Sequence, residues 1–518
     1  MRRNTSLSKL ARLEKGELAD ANAAPGSGAA PVKMKVPLSM EEMIECLTEV
    51  LSALYVYICL AVKYWVPRHP AWDTDAASTS RTAGDRAVDY DYAGGRDARW
   101  EAVDLSPPNA IFNLNRLFKE DTSPLKANLG VGAFRDDNGA PVVLECVQRA
   151  EQQYQCSLRA GGCNKEYLPI AGHKPMQVLA ARLALGDASP ALQQGRVASV
   201  QSLSGTGALR LAAEFLRRFG GGAPVYIPAE TWANHKAILA ESRVEDVRQY
   251  RYYDAATCGL DFDGLMQDLR AAPMGSVFLL QAVAHNPTGV DPSREQWQQV
   301  IDVMQNRRLF PLFDNAYQGF ATGDLETDAF VIRQFVARGL ECMVAQSFSK
   351  NLGLYNERAG CLHAVCKTKD SAARVESQLE LIIRAMYSNP PAHPAKLVEI
   401  VLGSPNLRRL WHDETKAMAD AITTRRKLLY DELVRNKTPS NTADGRWNHV
   451  IDQIGMFSYT GLTKDQCWNM EREHHIYMLK NGRISMAGVC ASNVKHVARA
   501  IHQTITGELP PDQPQAGL

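Results

Sequence analysis

Charge of one sign, paired cysteines and long apolar runs are all missing from this chain, and each absence narrows what it does. Across 518 residues, 58 Lys and Arg meet 57 Asp and Glu, for a formal charge of +1. No lysine–arginine block or aromatic–basic repeat appears, so the footprint of a nucleic-acid partner is lacking. The eleven cysteines are odd in number, scattered, and never spaced Cys-x-x-Cys. That argues for free thiols in a reduced compartment over a disulfide framework or zinc site. Cys361 and Cys366 have no histidine pair at ligand spacing beside them, and no metal is expected. The dinucleotide spacing Gly-x-Gly-x-x-Gly is absent too, which disfavours a nicotinamide cofactor. Val50 to Val62 is an uncharged apolar run of 13 residues between Glu49 and Lys63. A bilayer-spanning helix needs roughly 20, so membrane association through residues 50–66 is not expected.

What is present divides into unlike materials. Residues 1–37 are rich in Ala, Ser, Gly and basic side chains, with Arg2, Arg3, Lys9 and Arg12 ahead of the first acid, Glu14. That pattern is that of an organelle-targeting segment. Residues 67–97 carry Pro, Asp, Arg, Gly and Ser without a core and read as a linker. The chain length exceeds one ordinary domain. The expected organisation is an extension over 1–97, then an arm and part of a small domain over 98–145. A large cofactor-binding domain over 146–420, a small C-terminal domain over 421–510 and a tail over 511–518 follow.

The chemistry-bearing residues lie past buried strands. Short apolar runs at Val277 to Leu280, Leu309 to Phe313 and Met343 to Ala345 read as strands of an open α/β sheet. Just beyond them stand His285-Asn286-Pro287-Thr288-Gly289, Asp314-Asn315-Ala316-Tyr317 and Ser347-Phe348-Ser349-Lys350, with Asn356-Glu357-Arg358 next. Groups at the carboxyl ends of such strands converge on the ligand crevice. An amine, a carboxylate, an amide and a guanidinium are what pyridoxal phosphate asks of a protein: a covalent hold on its aldehyde, a counter-charge for its ring nitrogen, and donors for its oxygens. Ser204-Gly205-Thr206-Gly207 feeds a helix that runs to Phe219 and stops at Gly220. Leu209, Ala213 and Leu216 share one face of it, with Arg210, Glu214 and Arg217 elsewhere. Free N–H groups, two hydroxyls and the helix dipole there suit an anion.

From about Trp100 to about Thr506 the chain closely resembles the aspartate aminotransferases, dimeric fold-type I enzymes dependent on pyridoxal phosphate. The resemblance implies a mostly parallel seven-stranded sheet in a large domain, beside a smaller α/β domain. It assigns Lys350 to the covalent link and to proton transfer, Asp314 to the ring nitrogen, and Asn286 and Tyr317 to the ring oxygen, Tyr317 among the catalytic groups. Ser204, Gly205, Thr206, Ser347 and Arg358 go to the phosphate, together with Tyr167 from the partner subunit. Trp232 stacks on the ring, and His235 supports Asp314. The family commonly has a histidine where Gln281 stands, which touches the tuning of the ring.

For the substrate, Arg483 matches the group that grips the α-carboxylate, with Gly132, Trp232 and Asn286 lining the site. Arg384 matches an arginine donated across a homodimer to the distal carboxylate. Two guanidinium forks facing two carboxylates specify a dicarboxylic amino acid by bidentate pairing. The implied reaction exchanges the amino group between aspartate and 2-oxoglutarate, giving oxaloacetate and glutamate. Asp136-Asp137-Asn138-Gly139, Arg384-Ala385-Met386-Tyr387, Ile476-Tyr477-Met478 and Ala500-Ile501-His502-Gln503 resemble the mitochondrial branch more than the animal cytosolic one. A mitochondrial matrix location is therefore expected, with plastid and cytoplasm as alternatives. Competing readings are an aminotransferase that prefers aromatic donors, another reaction on the same cofactor, and a membrane-tethered binding protein without catalysis.

Overall fold

In the computed structural model the described residues are Trp100, 103–106 and 109–510. The targeting-like segment, the apolar run at Val50 to Val62, the linker and the 511–518 tail lie outside them. No described helix is long and apolar enough to cross a membrane.

Seven strands build the central sheet: β1 (Val197–Leu203), β2 (Val225–Pro228), β3 (Val247–Tyr250), β4 (Val277–Gln281), β5 (Phe310–Asn315), β6 (Cys342–Ser347) and β7 (Ala359–Val365). Their order is β1-β7-β6-β5-β4-β2-β3. β6, β5, β4, β2 and β3 run parallel, while β7 is antiparallel to both of its neighbours. Every residue of β4, β6 and β7 is buried, as expected of strands covered on both faces. Side-chain alternation sorts them into two cores. Val277, Leu279, Leu312, Met343 and Ala345 join one; Phe278, Leu280, Phe313 and Val344 join the other. The three strands read from the sequence are β4, β5 and β6, each ending one or two residues further on, with β5 starting at Phe310 rather than Leu309 and β6 at Cys342 rather than Met343.

Four helices matter for the site: α1 (Ala110–Glu120), α2 (Ser204–Phe219), α3 (Lys369–Met386) and α4 (Pro405–Arg435). α2 buries Leu209 and Ala213 against the sheet, while Glu214 pairs with Arg210 at 2.9 Å and Arg217 at 3.4 Å on its outer side. It ends at Gly220 as the sequence implies. Gly220 itself keeps φ −81°, and the left-handed turn falls to Gly221 and Gly222. A side chain at Gly220 would place its Cβ 2.4 Å from the Leu216 carbonyl oxygen, so close approach explains this glycine. α4 continues unbroken for 31 residues, through the expected domain boundary at 420–421. Two short strands, β8 (Phe457–Tyr459) and β9 (Arg483–Ser485), pair antiparallel beside it, with Phe457 opposite Ser485 and Tyr459 opposite Arg483. A third core of Leu129, Trp411, Leu429, Phe457 and Ile484 packs this region.

Candidate active site

A cavity of about 330 Å³ opens at the carboxyl ends of β5 and β6, within the size range of small-molecule sites. Gly132, Ser204, Gly205, Thr206, Trp232, Asn286, Asp314, Tyr317, Ser347, Lys350, Arg358 and Arg483 all line it. Twelve residues singled out from sequence thus meet in one place, drawn from segments up to 351 positions apart, from Gly132 to Arg483.

One end is built for an anion. Ser204 Oγ lies 3.0 Å from Ser347 Oγ and 2.7 Å from Ser349 Oγ, and Arg358 Nη1 donates to Ser349 Oγ at 3.3 Å. Ser204 opens α2 at φ 61°, and Arg358 sits at φ 59°. Left-handed backbone at two non-glycine residues is costly and collects at functional sites. Here both residues present donors to the same space. Gly205 packs tightly here, since a Cβ on it would come 3.1 Å from Ser347 Cβ. Three hydroxyls, a guanidinium and a helix N-terminus make a donor set for a phosphate, so the residues fit that group of pyridoxal phosphate. Burial lowers the Arg358 pKa from its ordinary value.

The other end is built around Asp314. His235, fully buried, bonds Asp314 Oδ2 through Nε2 at 2.9 Å and Thr231 Oγ1 through Nδ1 at 2.7 Å. A carboxylate only accepts, so Nε2 donates to it, and Nδ1 is held by the threonine hydroxyl. Trp232 stands edge-on to His235 at 5.3 Å. Lys350 Nζ lies 4.9 Å from the centre of the Tyr317 ring. Burial lowers the Lys350 pKa; Asp314 works against that shift and Arg358 with it. A larger share of free amine is what a nucleophile and base requires. Burial, with the Asp314 charge, pushes the Tyr317 phenol up, keeping it a neutral donor.

Arg483 faces the cavity from β9, 3 % exposed. Its Nη2 donates to the Gly130 carbonyl at 2.8 Å and its Nη1 to Asn286 Oδ1 at 3.4 Å, over the Phe457 ring at 4.2 Å. Asn286 Nδ2 donates to Tyr317 OH at 3.5 Å. Burial lowers Arg483 to about 10. Among the described residues no carboxylate pairs with it.

Tyr167 and Arg384 do not reach this cavity within their own chain. Tyr167 is 82 % exposed. Arg384, on the last turn of α3, is exposed and donates to Ser388 Oγ. The two segments are tied together, because Asn389 Nδ2 donates to the Leu168 carbonyl at 2.9 Å.

Sequence reading passed over several contributors and noticed Gln281 only for the tuning of the ring. Gln281 clamps Asn286 by accepting from its N–H and donating to its carbonyl, both at 2.8 Å. This glutamine therefore fixes the backbone of Asn286. Asp291 accepts from the N–H groups of Ala284 and His285, holding the same turn. Ser349, Tyr355 and Phe457 also line the cavity. Ser349 had a visible signal, its place one residue before Lys350; the others had none at short range. Ser349→Ala should weaken cofactor retention by about 1 kcal/mol, near fivefold in dissociation constant, for one lost hydrogen bond. Equilibrium titration of the apoenzyme checks this, and unchanged affinity would remove Ser349 from the phosphate set.

Comparison with known proteins completes the site. The sequence pattern described as "Aminotransferase class I and II" matches residues 125–501. The cytoplasmic aspartate aminotransferase of Gallus gallus is 49% identical over 410 residues, 78% of this chain and 98% of that protein. The mitochondrial form from the same organism is 46% identical over 405 residues, 78% of this chain and 93% of its own length. Among solved structures, the aromatic-amino-acid aminotransferase of Burkholderia pseudomallei, covalently bound to pyridoxal phosphate, superposes with a TM-score of 0.75. It is 40% identical and covers 79% of this chain and 100% of that one.

Proposed function

This chain belongs to the class I and II aminotransferases, and on that premise we propose that it transfers the amino group between L-aspartate and 2-oxoglutarate. The family uses pyridoxal phosphate, and this protein is a transferase dependent on it. When bound, that group supplies an electron sink for the pair released as the donor's Cα–H bond breaks. The chain's own residues do the rest. Lys350 Nζ, its basicity kept low by burial, takes the Cα proton as base and returns a proton as acid. Asp314, braced by His235, supplies the negative charge at the far end of the cavity. Ser204, Ser347, Thr206 and Arg358 hold the anion.

The observation that carries the reading is the Arg483 guanidinium. It is buried in the cavity, where it bonds two oxygens that carry no formal charge and leaves its Nε unbonded. A charge left in that state is costly unless a guest carboxylate completes it. A substrate with an α-carboxylate does so.

The second carboxylate is assigned to Arg384 of the opposite subunit, in a homodimer with shared sites. Supporting this are the exposure of Tyr167, Leu381 and Met386 and the bond that joins the Tyr167 and Arg384 segments. Arg384→Ala should depress activity on dicarboxylic donors by roughly 2–5 kcal/mol, the cost of truncating one partner of a buried charge pair. Alanine or phenylalanine turnover should change far less. Co-folding Lys350→Ala chains with Arg384→Ala chains should restore aspartate activity that neither homodimer shows, because one site then carries both lesions and the other none. No recovery in verified heterodimers, or phenylalanine turnover exceeding that of aspartate in the unaltered enzyme, would sink the assignment.

The division at 146–420 and 421–510 is kept as a proposal, with α4 shared across it. A mitochondrial location is likewise proposed, supported by the basic start of the chain and the four branch-like stretches. Cytoplasmic and mitochondrial relatives lie at nearly equal identity, so imaging of a full-length fusion is the deciding measurement.

A further inference from the structure

A second buried guanidinium lies behind the first. Arg426, on α4, is 3 % exposed and has no carboxylate partner among the described residues. Its Nη1 donates to the Val450 carbonyl at 2.9 Å. Its Nη2 donates to the Gly455 carbonyl at 2.9 Å and to that of Phe457. Those three carbonyls run from a short helix (His449–Asp452) through the loop at Gly455 to Phe457, the first residue of β8. The loop is gripped on its other side by the segment carrying Asn286: Ile454 N–H donates to the Gly289 carbonyl at 2.7 Å. A side chain at Gly289 would place its Cβ 2.7 Å from the Phe457 carbonyl oxygen. Phe457 therefore has little freedom to move along its strand.

Its ring sits where the substrate-facing groups meet. It lies 4.2 Å from the Arg483 guanidinium carbon and 6.2 Å from the Tyr317 ring. Its Cζ is 3.2 Å from where a Cβ on Gly132 would be. The Arg483 guanidinium thus has a π face beneath it and two acceptors at its tip, and its Nε makes no hydrogen bond. Moving the ring moves the shelf on which that guanidinium rests.

We infer that Arg426 is a positioning residue for substrate. By holding the carbonyls of Val450, Gly455 and Phe457 it sets the height of the Phe457 ring, and through that ring the place of Arg483. This rests on the reading of Arg483 as the group that binds the α-carboxylate. Arg426 touches neither substrate nor cofactor; its effect is confined to ligands that use Arg483.

The test uses the holoenzyme carrying Arg426→Met, which keeps length and loses all donors. KM for the amino donor and for the oxo acid should both rise about tenfold or more, with kcat within roughly threefold. Cofactor absorbance and affinity should hold, and so should binding of a primary amine without a carboxylate. Equal loss with the carboxylate-free amine, or a fall in kcat at unchanged KM, overturns the inference. Should Arg426→Met fail to fold, Phe457→Leu carries the test. It removes the ring, keeps the carbonyl bonded to Arg426, and should reproduce the rise in KM. Arg426→Lys, which can serve one or two of the three carbonyls, should fall between. Where both single variants fold, the double variant should be no worse than the worse single one; additive losses overturn the chain of action. Arg483→Ala separates the two readings. If it leaves KM unchanged, the carboxylate assignment falls and this inference with it. If it raises KM while the Arg426 and Phe457 variants do not, this inference alone fails.

Discussion

Lys350→Ala is expected to lower turnover by more than about 10³-fold, since proton-transfer catalysis alone is typically worth ~10²–10⁴-fold and the covalent hold is lost with it. The amine stands over the Tyr317 ring at the base of the cavity. Within that cavity the other bases are Asp314, engaged by His235, and the phenols Tyr317 and Tyr355, both pushed up by burial. None is placed to replace a free amine of lowered pKa. Single-turnover conversion of aspartate, with the visible spectrum of the bound cofactor, reads both roles at once. The spectrum should lose the band of the lysine-linked form while the phosphate cradle keeps the cofactor bound. A variant that turns over near the normal rate would remove Lys350 from the mechanism.

Asp314→Asn should cost roughly 10²–10³-fold in turnover, the usual scale for deleting one preorganised electrostatic group, with the cofactor still bound. Asparagine keeps the shape and an oxygen that accepts from His235 Nε2, so the Thr231–His235 pair has no reason to move. The negative charge goes. A ring nitrogen opposite a neutral amide loses the partner that favours its protonated form, and the electron sink weakens with it. Phosphate-end contacts at Ser204, Ser347 and Arg358 are remote from the change and should preserve affinity. Apoenzyme reconstitution followed by aspartate turnover is the measurement. An Asn variant that sheds its cofactor but, once saturated, shows full specific activity would make Asp314 a structural residue.

Much of the site could be read locally, for a physical reason. β4, β5 and β6 are covered on both faces, so each is written as an unbroken apolar run. The polar residues just past each run then have one place to go. The α2 signal is equally local: Ser204-Gly205-Thr206-Gly207 opens a helix with a 3.6-residue apolar stripe. Phe457 and Asp291 carried no such signal. Phe457 enters the site because β8 pairs with β9, which puts it across from Ser485, and because Arg426 on α4 holds its carbonyl. Those contacts join segments far apart in sequence, and no window of residues encodes them.

The two arginines proposed to bind substrate show where the division falls. By themselves the amino acids determined that a guanidinium stands at 384 and another at 483, and that a lysine, a carboxylate and a glycine-rich helix start accompany them, each next to a strand-like apolar run or a helical stripe. Only the tertiary structure decided what each guanidinium experiences. Arg483 is sealed over the Phe457 ring by Gly130, 353 residues earlier in the chain, while Arg384 is left on the surface at the end of α3. A guanidinium carries the same charge in both places. Whether it waits for a substrate's carboxylate or faces outward depends on what packs around it, and packing is set by partners distant in sequence.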